Sequence, residues 1–196
     1  ELHDSVNQAL FAATSIAEGI SRVWATDPAR ALQLLESVVT TNRAAMAEMR
    51  TLLIELRPEA VLRSQLSDLL SFLADAAKGR TSIDAEVRTF IEKDAVPLPP
   101  EVHIAFYRIA QEAIHNLLKH SRATRFTVDL KHHADWVSLR ISDNGKGFDL
   151  NSPSGGLGVG SMRERATSIK ANFELTSVEG RGTTVSIQWF YKAAAV

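Results

Sequence analysis

Four short segments carry side chains whose types and spacing could do chemistry. In the run Gln111–His120, Glu112, Asn116 and His120 stand four apart, and Lys119 follows Asn116 by three. On a helix the first three share one face. A carboxylate, an amide and a cation together suit a magnesium–phosphate complex, because Mg²⁺ takes oxygen ligands and an ammonium offers phosphate a point charge. Taken alone, the same face reads as a solvated polar stripe. The second segment is Asp143-Asn144-Gly145-Lys146-Gly147-Phe148. Its carboxylate ends a strand and could accept a hydrogen bond from an exocyclic amine such as that of adenine, while the glycines let backbone approach a ligand. By itself, Asn-Gly is only a turn. The third is Gly155-Gly156-Leu157-Gly158-Val159-Gly160-Ser161. Glycine-rich backbone opening a helix can present N–H groups to phosphate. It is not the dinucleotide fingerprint, since Ser161 stands where the last Gly belongs, and no G-K-[ST] follows as in a P-loop. Alone it reads as a mobile loop.

The fourth segment is His3-Asp4-Ser5-Val6-Asn7-Gln8. An imidazole with one unprotonated nitrogen is a competent nucleophile at neutral pH. Asp4 can orient or take the ring proton, and Gln8, one turn further on the same face, can hold water by hydrogen bonds. A histidine this near a chain end, without the other segments, is an ordinary surface residue.

These side chains need elements to position them. Leu2, Val6, Ala9, Ala13, Ile16, Ile20 and Val23 alternate spacings of four and three, the pattern of a bundle seam. Asp27-Pro28 reads as an N-cap followed by Pro at the first helical position. A second seam follows in Ala31, Leu35, Val38, Asn42, Ala45, Met49, Leu52 and Leu56, with Asn42 its one polar member and Pro58 its end. A lone hairpin cannot bury both apolar faces, whereas two can, as a four-helix bundle. The spacing therefore predicts a homodimer. From about residue 63 the pattern turns mixed. Leu66, Leu69, Leu70 and Leu73 predict a short helix stopped by Gly79, and Ile83, Ala85 and Val87 a strand. Pro97, Pro99 and Pro100 launch a helix with Val102, Phe106, Ile109, Ala113 and Leu117 inward. Strands around Phe126–Leu130 and Val137–Ile141 form a hairpin. Ser161 and Glu164 stand at capping-box spacing for a helix after the glycines. Two last strands flank the turn of Gly180 and Gly182. Hairpin-joined strand pairs among helices predict an α+β sandwich, a mixed sheet with helices on one face. The expected domains are a helical hairpin over 1–58 and an α/β domain over 63–196.

Composition narrows the classes. Of 196 residues, 45% are hydrophobic and 23% charged, an ordinary globular balance. The net charge of −1 gives no field for nucleic acid or a membrane surface, and with no cysteine there is neither a disulfide nor a thiolate metal site. No apolar run approaches the roughly 18 residues of a membrane span. The chain opens without Met and already in helix, so it is expected to be part of a longer protein. A cytoplasmic location is expected for this part, whether or not the parent protein is membrane-anchored.

In order and spacing, the three C-terminal segments resemble the N, G1 and G2 boxes of the ATP-binding domain shared by histidine kinases, type II topoisomerases, Hsp90 chaperones and MutL-type repair proteins. The resemblance implies that Asn116 ligates Mg²⁺, that Glu112, Lys119 and His120 lie near the phosphates, and that Asp143 binds the adenine amine. It further implies that Gly145 and Gly147 line the adenine pocket, that Gly156, Gly158 and Gly160 belong to a lid, and that Thr183 of Gly182-Thr183 helps hold adenine through water. The first half selects among these relatives. His3-Asp4-x-x-x-Gln8 resembles the phospho-acceptor box of one histidine kinase subfamily, and Leu56-Arg57-Pro58 and Met162-Arg163-Glu164-Arg165-Ala166 are similar to that subfamily's sequences. The implied function is a sensor histidine kinase core that uses ATP and Mg²⁺ to phosphorylate His3. The phosphoryl group then passes to an Asp in a response regulator receiver domain, and Gln8 serves dephosphorylation of that regulator. Ser161 departs from the usual Gly before the Met, which implies an altered lid hinge. Three rivals remain: a serine/threonine kinase of the anti-sigma-factor type, a non-kinase ATPase module of the topoisomerase or repair class in which Glu112 would activate water, and a dimeric scaffold that binds nucleotide without transferring phosphate.

Overall fold

The computed structural model describes residues 2–56, 61–80, 83–149 and 157–191, with side chains left aside for 2–9, 43–44, 47–56, 80 and 157. Two long helices, α1 (Leu2–Thr26) and α2 (Pro28–Leu56), pack against each other as a hairpin. The turn is built as its residues predict. The Asp27 carboxylate accepts the Arg30 N–H at 3.0 Å, and Pro28 opens α2 where a missing N–H costs nothing. Along the predicted seams Ala13, Ala31 and Ala45 are buried and Ile16, Ile20, Val23 and Val38 half-buried. Leu35 and Asn42, placed on the same register by spacing, stand exposed in the single chain. Pro58 lies outside the described residues.

The α/β part contains α3 (Leu66–Arg80), β1 (Asp84–Ile91), α4 (Pro100–Asn116), β2 (Arg125–His132), β3 (Trp136–Asp143), α5 (Leu157–Ser168), β4 (Asn172–Val178) and β5 (Gly182–Phe190). Its five strands lie in the order β1-β2-β3-β5-β4. β1 and β2 pair parallel, as the α4 crossover between them allows, and all other pairs are antiparallel. The mixed sheet with helices on one face is the architecture the sequence predicts. Helices α3, α4 and α5 cover one face, and α2 packs onto α3. The core between the layers includes Leu70, Phe106, Ile109, Phe126, Val128, Leu139 and Ile187. The other sheet face carries Thr127, Asp129, Ser138, Arg140, Ser186 and Gln188, in step with the period of two.

Three local expectations are corrected. Gly79 does not stop α3, which runs on to Arg80. The helix bearing Asn116 does not continue evenly. After Asn116 it widens into a π turn over Leu117–Ser121, closed by Arg122 in the left-handed region at φ 54°. His120 therefore sits on a wider turn than an α-helical spacing of four implies. Finally, Ser161 is not an N-cap. α5 begins at Leu157, and the Ser161 hydroxyl instead accepts the Arg165 Nε–H at 3.3 Å inside the helix. Glycines 158 and 160 disfavour helix, but Val159 and Met162 pack on the core, and that packing overrides propensity. The same helix ends in a Schellman arrangement with Lys170 at φ 58°. The Ala171 N–H donates to Ala166 O and the Lys170 N–H to Thr167 O, both at 2.9 Å.

Candidate active site

A cavity of about 360 Å³ opens between α4 with its π turn, the C-terminal end of β3, the start of β5 and the first turns of α5. Ile141, Leu117, Met162, Leu175 and Val185 give it apolar walls. Into this setting the sheet delivers Asp143, the last residue of β3. The carboxylate accepts the Gly145 N–H at 2.7 Å and a second backbone N–H from Thr183. Burial pushes its pKa above the usual carboxylate range, and the two N–H groups only partly oppose this. It is the one acidic side chain lining the cavity among the described residues; His120 and Lys146 are the basic ones.

The glycines after Asp143 are required by close approach. A Cβ on Gly145 would fall 2.5 Å from Ser121 O and 2.7 Å from Asp143 Oδ1, so this residue packs beneath the cavity rather than lining it. Gly147 has φ 59°, and a Cβ there would collide with the Val178 carbonyl. Gly147 does line the cavity. Gly158, in the first turn of α5, lies against α4. A side chain at this position would strike Glu112 Oε1 and come 3.0 Å from Asn116 Nδ2.

Of the residues singled out by sequence, Asn116, His120, Asp143, Gly147, Gly158 and Thr183 are brought to one cavity. Glu112 is outside its lining but bonded to it: its Oε1 accepts the Asn116 Nδ2–H at 3.0 Å. Lys119 is exposed and does not line it, and Gly160 is exposed with open space around it. Gly156 lies outside the described residues. His3, Asp4 and Gln8 fall in the first turns of α1, and their side chains lie outside the described residues.

The Asn116 amide nitrogen is taken by Glu112, which leaves its Oδ1 as the atom the amide offers to the cavity. No three acidic or histidine side chains gather as a metal cage among the described residues. A single amide oxygen still fits Mg²⁺, which commonly keeps several waters and takes few protein ligands.

Two residues that organise this site escaped the sequence reading. Ser121 is buried; its hydroxyl donates to Leu117 O at 2.7 Å and accepts the Ala123 N–H at 3.0 Å, closing the π turn. Ser177 accepts the Phe148 N–H at 2.9 Å. The available signal was weak: Ser beside a turn tends to bond local backbone, but nothing in spacing says which one does so under a pocket.

Comparison with known proteins covers both parts of the chain. The family described as "Histidine kinase" matches residues 1–61, and "Histidine kinase-, DNA gyrase B-, and HSP90-like ATPase" matches residues 101–193. Sensor protein VraS of Staphylococcus saprophyticus is 35% identical over 191 residues, which cover 96% of this chain and 53% of that protein. Sensor protein VraS of Staphylococcus aureus is 36% identical with the same coverage. The chain thus spans about half the length of these curated relatives. Among solved structures, the histidine kinase domain of a blue-light activated histidine kinase from Erythrobacter litoralis shares the fold. Its TM-score is 0.50 at 18% identity, covering 89% of this chain and 94% of that one. With histidine kinase signatures on both its helical and its sheet-bearing parts, and relatives at this identity aligned along 96% of this chain, the chain belongs to the histidine kinase family.

Proposed function

We propose that this chain is an ATP-dependent protein-histidine kinase core, in which residues 63–196 bind ATP and residues 1–58 form the phospho-acceptor hairpin. The observation that carries the reading is Asp143: a half-buried carboxylate in a cavity with apolar walls, beside an amide and an imidazole. Apolar walls take the purine faces. Asp143 accepts from the exocyclic amine, and the Thr183 hydroxyl meets the base directly or through water. Asn116 would hold Mg²⁺ through Oδ1, and the bound ion supplies neutralisation of phosphate charge. Lys119, His120 and the lid backbone at Gly156, Gly158 and Gly160 would add to that neutralisation. Gly145 gives the loop its close approach, and Glu112 fixes the Asn116 amide.

In the transfer step an imidazole nitrogen of His3 attacks the γ-phosphorus, the bond to the bridging oxygen breaks, and ADP leaves. Asp4 orients the ring and takes or shares its proton. The phosphoryl group next moves to an Asp of a response regulator receiver domain, and Gln8 holds the water that later removes it. A homodimer is supported by the apolar side chains left open on the hairpin, Leu10, Phe11, Trp24, Leu32, Leu35 and Met46.

The test is incubation of the chain with γ-labelled ATP and Mg²⁺. The expected product is an acid-labile, base-stable phosphoryl group on wild type and none on His3→Ala, with ATP affinity preserved. Acid-stable label, or label persisting on His3→Ala, would overturn the assignment in favour of a serine/threonine kinase or another acceptor.

A further inference from the structure

We propose that the free edge of β1 is an antiparallel pairing surface for a second copy of this chain, with Val87 on the two-fold axis. This surface is separate from the open apolar side chains of the hairpin, and it does not depend on the ATP reading.

β1 is an outer strand of the sheet and pairs with β2 alone. The phase of that pairing fixes which backbone groups are left over. The Asp84 N–H donates to Thr124 O at 2.9 Å, and the Glu92 N–H donates to His132 O at 2.8 Å. Backbone groups of successive residues point to alternate sides of a strand, so the even-numbered residues turn theirs toward β2. The N–H and C=O groups of Ala85, Val87, Thr89 and Ile91 face outward, with no backbone partner among the described residues. Natural edges are commonly blunted by a bulge, a proline, an inward-pointing charge or plain surface charge. β1 has no bulge, since its eight residues match eight of β2 without a break, and it has no proline. Its charges Asp84, Glu86 and Arg88 lie on the open sheet face, level with Arg125, Thr127 and Asp129. Charge is therefore the one guard left, and its pattern is complementary to itself.

A two-fold contact sets the same patch against itself, so complementarity must be internal to the patch. The outward groups pair only if odd residues face odd residues. With Val87 opposite Val87 of the second copy, Ala85 and Thr89 lie opposite each other twice. These three residue pairs exchange roughly six backbone hydrogen bonds. On the open face Glu86 then stands opposite Arg88 of the second copy, and Arg88 opposite its Glu86. Even residues form the closer, non-hydrogen-bonded pairs, where opposite charges attract across strands. Within one chain the Arg88 guanidinium already donates to the Glu86 carboxylate at 2.8 and 2.7 Å, so pairing closes a ring of four alternating charges. Moving the axis one residue either way sets Glu86 against Glu86 or Arg88 against Arg88, which repulsion disfavours. On the covered face the exposed Ile91 comes opposite Ile83 of the second copy.

The chain has no cysteine, so a disulfide forms only where one is introduced. The experiment is mild oxidation of the whole chain carrying Val87→Cys or Thr89→Cys, read as covalent pairs on a non-reducing gel. Two residues at position 87 would have Cα atoms about 5.5 Å apart, inside the roughly 4.4–6.8 Å that a disulfide spans. Two at position 89 would be about 13–14 Å apart along the strands. Val87→Cys should link and Thr89→Cys should not, although Thr89 is the more exposed and would link faster by random collision. Adding Glu86→Arg or Arg88→Glu to Val87→Cys should abolish the link, because each sets like charges opposite. A mixture of those two proteins, or both exchanges in one chain, should restore it. Amide exchange reads the same edge without substitution. The Val87 and Thr89 N–H groups should be protected in concentrated protein and lose protection on dilution, while those of Glu86 and Arg88 stay protected. No link at 87, equal linking at 87 and 89, a link indifferent to the charge exchanges, or Val87 and Thr89 amides that exchange freely at every concentration would overturn the proposal.

Discussion

Asp143→Asn isolates the single carboxylate on which nucleotide recognition is proposed to turn. The side chain is half-buried and already accepts two backbone N–H groups, from Gly145 and Thr183. A carboxylate has lone pairs to spare for an adenine amine as well. An amide has one oxygen and one donor group, so one of its three partners must face N–H₂. Leaving one such group unpaired costs about 1–3 kcal/mol, or roughly ten- to hundredfold in affinity. The pH profile gives a second readout. Burial holds the Asp143 pKa above its ordinary value, so folding favours the protonated form. That contribution to stability is full below the unfolded value and is lost as pH rises through the folded one. An amine donor favours the opposite, ionised form. ATP binding should therefore release a proton, and affinity should be highest above the raised pKa and fall as pH drops through it, by at most about tenfold per pH unit. Titration of ATP binding between mildly acid and neutral pH measures both effects. The Asn variant should bind weakly and lack this acid limb. Equal affinity in the two proteins, or the same acid limb in both, would refute the placement of the amine at Asp143.

The glycines separate by what surrounds them. Gly158→Ala should push the Glu112 carboxylate off the Asn116 amide and lower phosphate incorporation, whereas Gly160→Ala meets open space and should stabilise the helix by about 0.5–1 kcal/mol, as thermal unfolding would register. Gly147→Ala combines positive φ with a collision at the Val178 carbonyl and should cost well over the 1–2 kcal/mol or so of left-handed strain alone. Gly180→Ala, at φ 75° with nothing nearby, should cost only that strain, a difference that denaturant melts resolve. On α1, Asp4→Asn should depress autophosphorylation. Gln8→Ala should leave it intact and slow decay of a phosphorylated receiver domain; decay at the wild-type rate removes Gln8 from the mechanism.

The periodic parts of this chain were legible because burial imposes periodicity. The inward positions Val102, Phe106, Ile109, Ala113 and Leu117 are all buried, and the alternation in β2, β3 and β5 marks the covered sheet face correctly. Asp143 and the glycines near it were legible because their residue types are chemically unusual at the end of a strand. What escaped reading depends on tertiary contact. The start of α5 was placed four residues late, since Ser161-x-x-Glu164 satisfies a local capping pattern while the packing of Val159 and Met162, which decides the matter, has no local signature. The π turn was read as plain helix because Leu117 and Ser121 have ordinary helical spacing. The buried Ser121 hydroxyl that closes the turn looks like any other serine in the sequence.

Polar groups of this kind also hold the loop that borders the cavity. The loop after Asp143 has two glycines, and glycine loses more entropy on ordering than any other residue. That cost is offset by bonds from each side. The Lys146 N–H donates to Ser121 O at 2.8 Å, and Lys146 O accepts the Gly180 N–H at 2.7 Å. Asn144 Oδ1 accepts the N–H groups of Thr124 and Arg125 at 3.0 and 2.9 Å, and the Phe148 N–H is held by Ser177. The loop is thus fixed to the π turn, to the start of β2 and to the β4–β5 turn. A ligand entering such a site need not order the loop itself, so more of its contact energy is retained as affinity. The α5 side of the cavity has a different construction. Gly158 lies against Glu112 and Asn116, and Val159 and Met162 pack on the core, whereas Gly160 faces open space.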